Sequence, residues 1–356
     1  MSLKRLANLR KAMEGLRLEA ILITNPYNRR YMSGFTGTAG YVLVTAGRAF
    51  FLTDFRYMVQ AREQAPAYEI VEHAVKPMQT VKELLDGLGI KRLGLEQQHL
   101  SYGLYKSYEA DLADIEAVPT SLVVEKLRMY KDEEEIAVMQ DAADLADKTF
   151  THILSCLKPG VSERDIALEM EFFMRKNGAT SSSFDTIVAS GERSALPHGV
   201  ASDRKLGMNE FVKMDYGALL NGYCSDITRT VSLGTPSDKL KEIYGIVLEA
   251  QLACIAGLKP GMTGKEGDAI ARDMIAKAGY GANFGHGTGH SLGLEIHENP
   301  RLSPSCDVVF EPGMTVTVEP GIYLPGIGGV RIEDDLVFTE TGVKVLTHSI
   351  KELLIL

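Results

Sequence analysis

Over the first third of the chain, short apolar runs of strand length alternate with helix-spaced ones. Residues 20–24, 41–45, 49–53 and 92–96 are compact apolar runs bounded by turn residues and read as strands. Helical spacing appears at 5–15, 80–87 and 102–112. This alternation predicts an α/β layer domain. Near residue 125 the pattern changes. Asp132 followed by Glu135 is an N-cap with its capping-box partner and predicts a long helix that runs toward Pro159-Gly160. By the same logic Ser162 to Asp165 opens a second helix, and 238–258 and 264–278 fit two more, bounded by Gly or Pro. The expected organisation is an N-terminal domain over 1–125 and a second, α+β domain over 126–356.

One segment fixes its own register. Asn221-Gly222 between two strand-like runs is a two-residue hairpin signal, with both turn residues at positive φ. Leu220 then pairs with Tyr223, and counting outward sets Asp215 opposite Thr228. Asp226 falls two residues away on the same face, a diagonal spacing of roughly 7–8 Å. Two acids so placed repel unless they share a cation.

Composition narrows the classes. The 356 residues suit two domains, and 45% hydrophobic content is ample for folded cores. A net charge of −9 argues against a nucleic-acid or anionic-membrane partner. No apolar run approaches the ~20 residues of a membrane span, and the N-terminus has no signal-peptide core. Cys156, Cys224, Cys254 and Cys306 show no metal spacing and read as reduced thiols of a cytoplasmic protein.

The chemistry lies in the last 145 residues. Met214-Asp215-Tyr216-Gly217 and Ser225-Asp226-Ile227-Thr228 supply two acids. Val318-Glu319-Pro320-Gly321 and Arg331-Ile332-Glu333-Asp334 supply two more. Four carboxylates balance two divalent cations, and a neutral imidazole completes an oxygen-rich set suited to Mn²⁺, Mg²⁺ or Co²⁺. Gly285-His286-Gly287-Thr288-Gly289-His290 is too glycine-rich for a helix, so His286 and His290 are not a helical zinc-protease pair. Close backbone approach to a metal or substrate is the expected reason for Gly285, Gly287 and Gly289.

The set of acids, together with the run from His286 through His290 to His297-Glu298, resembles the M24 or pita-bread metallopeptidases. Within them it is similar to the proline peptidases, prolidase and aminopeptidase P. The likeness spans about the whole chain: a creatinase/prolidase-type N-terminal domain, then a pita-bread catalytic domain. It implies metal ligation by Asp215, Asp226, His290, Glu319 and Glu333, with two divalent ions per chain, Mn²⁺ foremost and Co²⁺ or Zn²⁺ as further candidates. It also implies catalytic roles for His198 and His297. Methionine aminopeptidases generally lack the N-terminal domain, and creatinase lacks the ligands.

The activity so implied is attack on a Xaa-Pro bond by a hydroxide bridging two ions, whose water has its pKa drawn down to about 7. Glu319 is the expected proton acceptor. His198 and His297 would bind the substrate carbonyl, with His286, Tyr323 and Arg331 around them. Arg301, in His297-Glu298-Asn299-Pro300-Arg301, would read a dipeptide's free carboxylate and favours prolidase; aminopeptidase P is the alternative. A surface pair of Arg301 with Glu298 is the plain reading of the same residue. A non-catalytic pita-bread binding module is the reading from another class, and the intact ligand set speaks against it. The implied partners are a small peptide with proline second and, as in related enzymes, a second copy of the chain in a homodimer.

Overall fold

A computed structural model describes residues 2–356. The backbone forms two compact units, one ending at Arg128 and the other spanning Met129–Leu356. The division at 125/126 expected from the sequence would fall inside the helix Val123–Arg128.

The first unit is built on a six-stranded mixed sheet. In spatial order its strands are Glu69–Glu72, Ala49–Thr53, Tyr41–Thr45, Ala20–Ile23, Arg92–Glu96 and Glu116–Thr120. Tyr41–Thr45 is antiparallel to both its neighbours, and the other pairs are parallel. The inner four are the strands the apolar runs predict. All of Ala20–Ile23 is buried, as expected of a strand covered on both faces. The two edge strands begin with glutamate and keep exposed positions, so they carry no apolar run to read. The helices expected at 5–15, 80–87 and 102–112 are Ser2–Gly15, Pro77–Gly87 and Tyr102–Asp111. A further helix, Pro26–Ser33, lacks an apolar stripe. Its signal is local: Asn25 Oδ1 accepts the N–H groups of Tyr27 and Asn28, and Pro26 takes the first turn.

In the second unit the helices are Glu133–Ile153, Glu163–Lys176, Asp238–Gly257 and Gly264–Lys277. Reciprocal capping boxes start three of them, at Asp132/Glu135, Ser162/Asp165 and Thr263/Glu266. The first helix stops at Ile153, short of Pro159. There Ser155 Oγ donates to the carbonyl of His152, competing with the helical ladder, and Leu157 turns into the core.

Two hairpins organise this unit. In the first, Glu210–Tyr216 pairs with Ile227–Leu233, and Ala218–Leu220 with Tyr223–Cys224, in one register around the turn. Asn221 and Gly222 have φ of 49° and 85°, as the turn requires. Asp215 stands opposite Thr228. The ladder breaks at Gly217, where a Cβ would lie 1.7 Å from the Ser225 carbonyl oxygen, so no larger residue fits. In the second hairpin Val318 pairs with Asp334 and Gly321 with Arg331. The register is unchanged across the gap, which sets Glu319 opposite Glu333. Behind the hairpins lie two apolar clusters. One joins Phe211, Val316 and Leu336 to the last two helices, and the other joins Met214, Tyr216 and Val231 to the first two. Each such buried aliphatic side chain contributes ~1.5–3 kcal/mol.

Candidate metal centre

All four acids sit where a ladder ends or breaks. Asp215 is the last residue but one of Glu210–Tyr216, and Asp226 immediately precedes Ile227–Leu233. Glu319 follows Thr315–Val318, and Glu333 precedes Asp334–Phe338. At these places side chains turn from the strand pairing toward a common space. Thr228 fastens the two hairpins together: its carbonyl accepts from Glu333 N at 3.1 Å, and its Oγ1 donates to Glu333 Oε2 at 2.6 Å. Glu319 N donates to Thr288 O at 2.7 Å and so joins the glycine-rich run to the same point.

That run leads into the short strand Gly289–Ser291, paired with Glu298–Leu302. A Cβ at Gly289 would lie 1.8 Å from the Thr317 carbonyl oxygen. The close approach that Gly289 permits is therefore to a neighbouring strand, not to a metal or substrate. A Cβ at Gly287 would lie 3.0 Å from the Leu302 carbonyl oxygen, and one at Gly285 would face open space. Helix Gly264–Lys277 holds the approach to this strand. Asp268 accepts from Thr288 N and Oγ1, while Arg272 donates to the carbonyls of Phe284 and His286.

His290 Nδ1 is hydrogen-bonded to Ser291 O at 3.1 Å, which leaves Nε2 facing Asp226 Oδ2 at 3.5 Å and Glu319 Oε1 at 3.6 Å. Burial, then the nearby His297 ring, pull the imidazole down to about 3, so it is neutral. Three groups of metal-capable side chains occur among the described residues, and Asp226, His290 and Glu333 form the fully buried one. Their ligand atoms lie within 4.8 Å of one another.

The acids of this cluster oppose one another. Burial, then Glu333, push the Asp226 carboxyl well up; burial, then Glu319, do the same to Glu333. Burial raises Glu319 to about 7 against the opposing pull of Arg331. Asp226 Oδ1 is buried without a hydrogen-bond partner among the described residues. Massed, desolvated carboxylates with an unspent oxygen are relieved by cations. A neutral imidazole and four carboxylates are a fitting donor set for divalent ions.

The five residues line a cavity of about 500 Å³ together with His198, His286, His297, Arg301 and Arg331. Arg301 pairs across the strand with His290, and it is exposed along part of its length. Glu298 is committed elsewhere, to Lys131 Nζ at 3.1 Å. Tyr323 stands behind the wall rather than in it. Its hydroxyl accepts from Arg331 Nη1 and bonds His286 Nε2, both at 2.8 Å. Arg331 also pairs with Asp215 and donates to Thr228 Oγ1 and Pro197 O.

Three buried residues of the centre carry no motif of their own. Asp335 Oδ2 accepts from Asp226 N at 2.8 Å. Thr228 is legible in the sequence only as the register partner of Asp215. Lys213, fully buried, shares a strand face with Asp215 and sends its amine toward Leu196 O.

A buried oxygen-rich donor set at the meeting of two hairpins, opening on a cavity with histidines and arginines, defines a metal-dependent hydrolase. The comparisons give the particular family. The model of metallopeptidase family M24 matches residues 137–340, and that of the creatinase/prolidase N-terminal domain matches 5–130. The chain belongs to metallopeptidase family M24. It is 41% identical to a Xaa-Pro dipeptidase of Pyrococcus furiosus over 99% of both chains. Among solved structures, a Xaa-Pro dipeptidase from Bacillus anthracis is 56% identical, with a TM-score of 0.98 over 100% of both chains. An X-Pro aminopeptidase from Thermotoga maritima is 38% identical, with a TM-score of 0.92 over 97% of this chain and 100% of that one. No helix among the described residues is long and apolar enough to cross a membrane.

Proposed function

We propose that this metallopeptidase is a prolidase, cleaving Xaa-Pro dipeptides with two divalent ions, Mn²⁺ foremost. The ions would be held by Asp215, Asp226, His290, Glu319 and Glu333. Bound there, they supply Lewis acidity toward the scissile carbonyl and lower the pKa of a water. The chain's own residues do the rest. Glu319 takes the proton of the attacking water and returns it to the leaving proline nitrogen. His198 and His297, on the cavity wall, hold the substrate carbonyl oxygen. Tyr323 fixes His286 from behind the cavity wall, and Arg331, on the wall, holds Asp215. The cytoplasm and a homodimer are the setting proposed with it, and free thiols at all four cysteines suit that compartment.

The observation that supports dipeptides over longer chains is Arg301 on the cavity wall, across the strand from His290. A dipeptide differs from a longer peptide by a carboxylate on its proline, and a guanidinium matches that group with a rigid fork. Arg301→Ala should raise KM for a Xaa-Pro dipeptide by a factor worth ~1.5–3 kcal/mol, the range for bonds to charged groups. Cleavage of a Xaa-Pro-Xaa tripeptide should change much less. Equal effects on both substrates, or a wild type that prefers the tripeptide, would make this chain an aminopeptidase P.

The metal count has its own check. After Mn²⁺ loading and removal of excess, elemental analysis should approach two ions per chain. A chelator should abolish activity, and Mn²⁺ should restore it. A folded, active preparation with no bound metal would end the proposal.

A further inference from the structure

The loop Leu196-Pro197-His198 is poorly anchored by its own side chains. Leu196 and Val200 are 48% and 52% exposed, and His198 is exposed as well. The loop is held by its carbonyls instead. Lys213 Nζ donates to Leu196 O at 2.5 Å and reaches Pro197 O at 3.5 Å. Arg331 Nη1 donates to the same Pro197 oxygen at 3.0 Å. Lys213 is 0% exposed, and its amine also lies 5.0 Å from the centre of the Tyr323 ring. Burying a lysine is expensive unless its donors are used. Here the hydrogen-bond acceptors are two successive backbone carbonyls, those just before His198.

We propose that Lys213 is a positioning residue that sets His198 against the substrate by clamping the carbonyls of Leu196 and Pro197. This rests on the role of His198 in the function proposed above. The strand gives the clamp its precision. Lys213 is two residues from Asp215 on the same face of Glu210–Tyr216, so the backbone that presents an acid to the metal centre also fixes the histidine loop. Arg331 closes the connection, since it grips both Asp215 and Pro197 O. A histidine on an exposed loop is thereby held in a fixed relation to the metal ligands, and misplacement by ~1 Å costs on the order of a hundredfold in rate.

The test is a double-mutant cycle with His198→Ala, assayed on a Xaa-Pro dipeptide with metal content measured on each variant. Lys213→Met keeps the length of the side chain and removes its donors. It should lower kcat roughly tenfold to a hundredfold, with KM little changed and the full metal complement retained. In the His198→Ala background the same substitution should add almost nothing. Lys213→Gln, which keeps one donor, should recover part of the loss, and it replaces Lys213→Met in the cycle if that variant does not fold. Wild-type kcat in Lys213→Met overturns the proposal. So does a loss that adds fully to that of His198→Ala, or one that follows a lost metal ion and so points to Asp215. If His198→Ala alone is harmless, the role of His198 fails and the proposal fails with it. An additive cycle with a costly His198→Ala overturns only the role of Lys213.

Discussion

Glu319→Gln should lower kcat on a Xaa-Pro dipeptide by about 10²–10⁴-fold, the usual contribution of a general acid–base group, or by more. Glutamine keeps the shape of the side chain and can keep the contact with Thr317 Oγ1, 3.3 Å from Glu319 Oε1. It loses the negative charge and the ability to accept a proton. The backbone anchor from Glu319 N to Thr288 O is untouched by the change, so the fold should persist. The measurement is kcat on metal-loaded protein, beside a melting curve and the metal count. A variant with both ions, an unchanged melt and near-normal turnover would remove Glu319 from the chemistry.

The largest effect on stability is expected at Arg229. This guanidinium is 1% exposed and ties distant segments together. Nη2 pairs with Asp334 Oδ1 at 2.8 Å, Nη1 donates to Thr228 O and Glu333 O, and Nε lies within reach of the carbonyls of Ser349 and Ile350. Arg229→Ala removes all of these, opens a cavity and orphans several carbonyls. Asp334 keeps Lys351 and Gln251 as partners, so its charge is not stranded. Each buried acceptor left without its donor costs about 1–3 kcal/mol, so the loss should reach several kcal/mol. Reversible denaturant unfolding of the variant and the wild type reads the difference. An unchanged midpoint would mean that the C-terminal segment is fastened by other contacts.

Much of this architecture is legible in the order of the amino acids. The register around Asn221-Gly222 follows from turn chemistry, because only a few residues accept positive φ at both turn positions. The capping boxes at Asp132 and Ser162 announce their helices for a similar reason: the signal is local. What escapes the sequence acts across long separations. Lys213 reads as an ordinary strand residue until Leu196 is seen beside it, and Asp335 until Asp226 N is. Gly289 is conspicuous in sequence, but its purpose depends on Thr317, which no spacing rule places there. Tyr323 stands out in the sequence only as a neighbour of Glu319, and what it touches cannot be read from that. Its hydroxyl is already spent on His286 and Arg331. The edge strands Glu69–Glu72 and Glu116–Thr120 leave no trace in the pattern because half-exposed strands need no apolar run.

The breaks at Glu319 and Glu333 also separate two kinds of amide. Within the second hairpin, residues such as Val316 and Leu336 are paired strand to strand. Glu319 N and Glu333 N instead donate outward, to Thr288 O and Thr228 O. Solvent exchange at the paired amides thus reports whether the hairpin itself is folded, whereas exchange at these two reports whether neighbouring segments remain docked on it. The centre carries a pair of built-in spectroscopic reporters, at two of the acids that line its cavity, and they can distinguish a loosened site from an unfolded one.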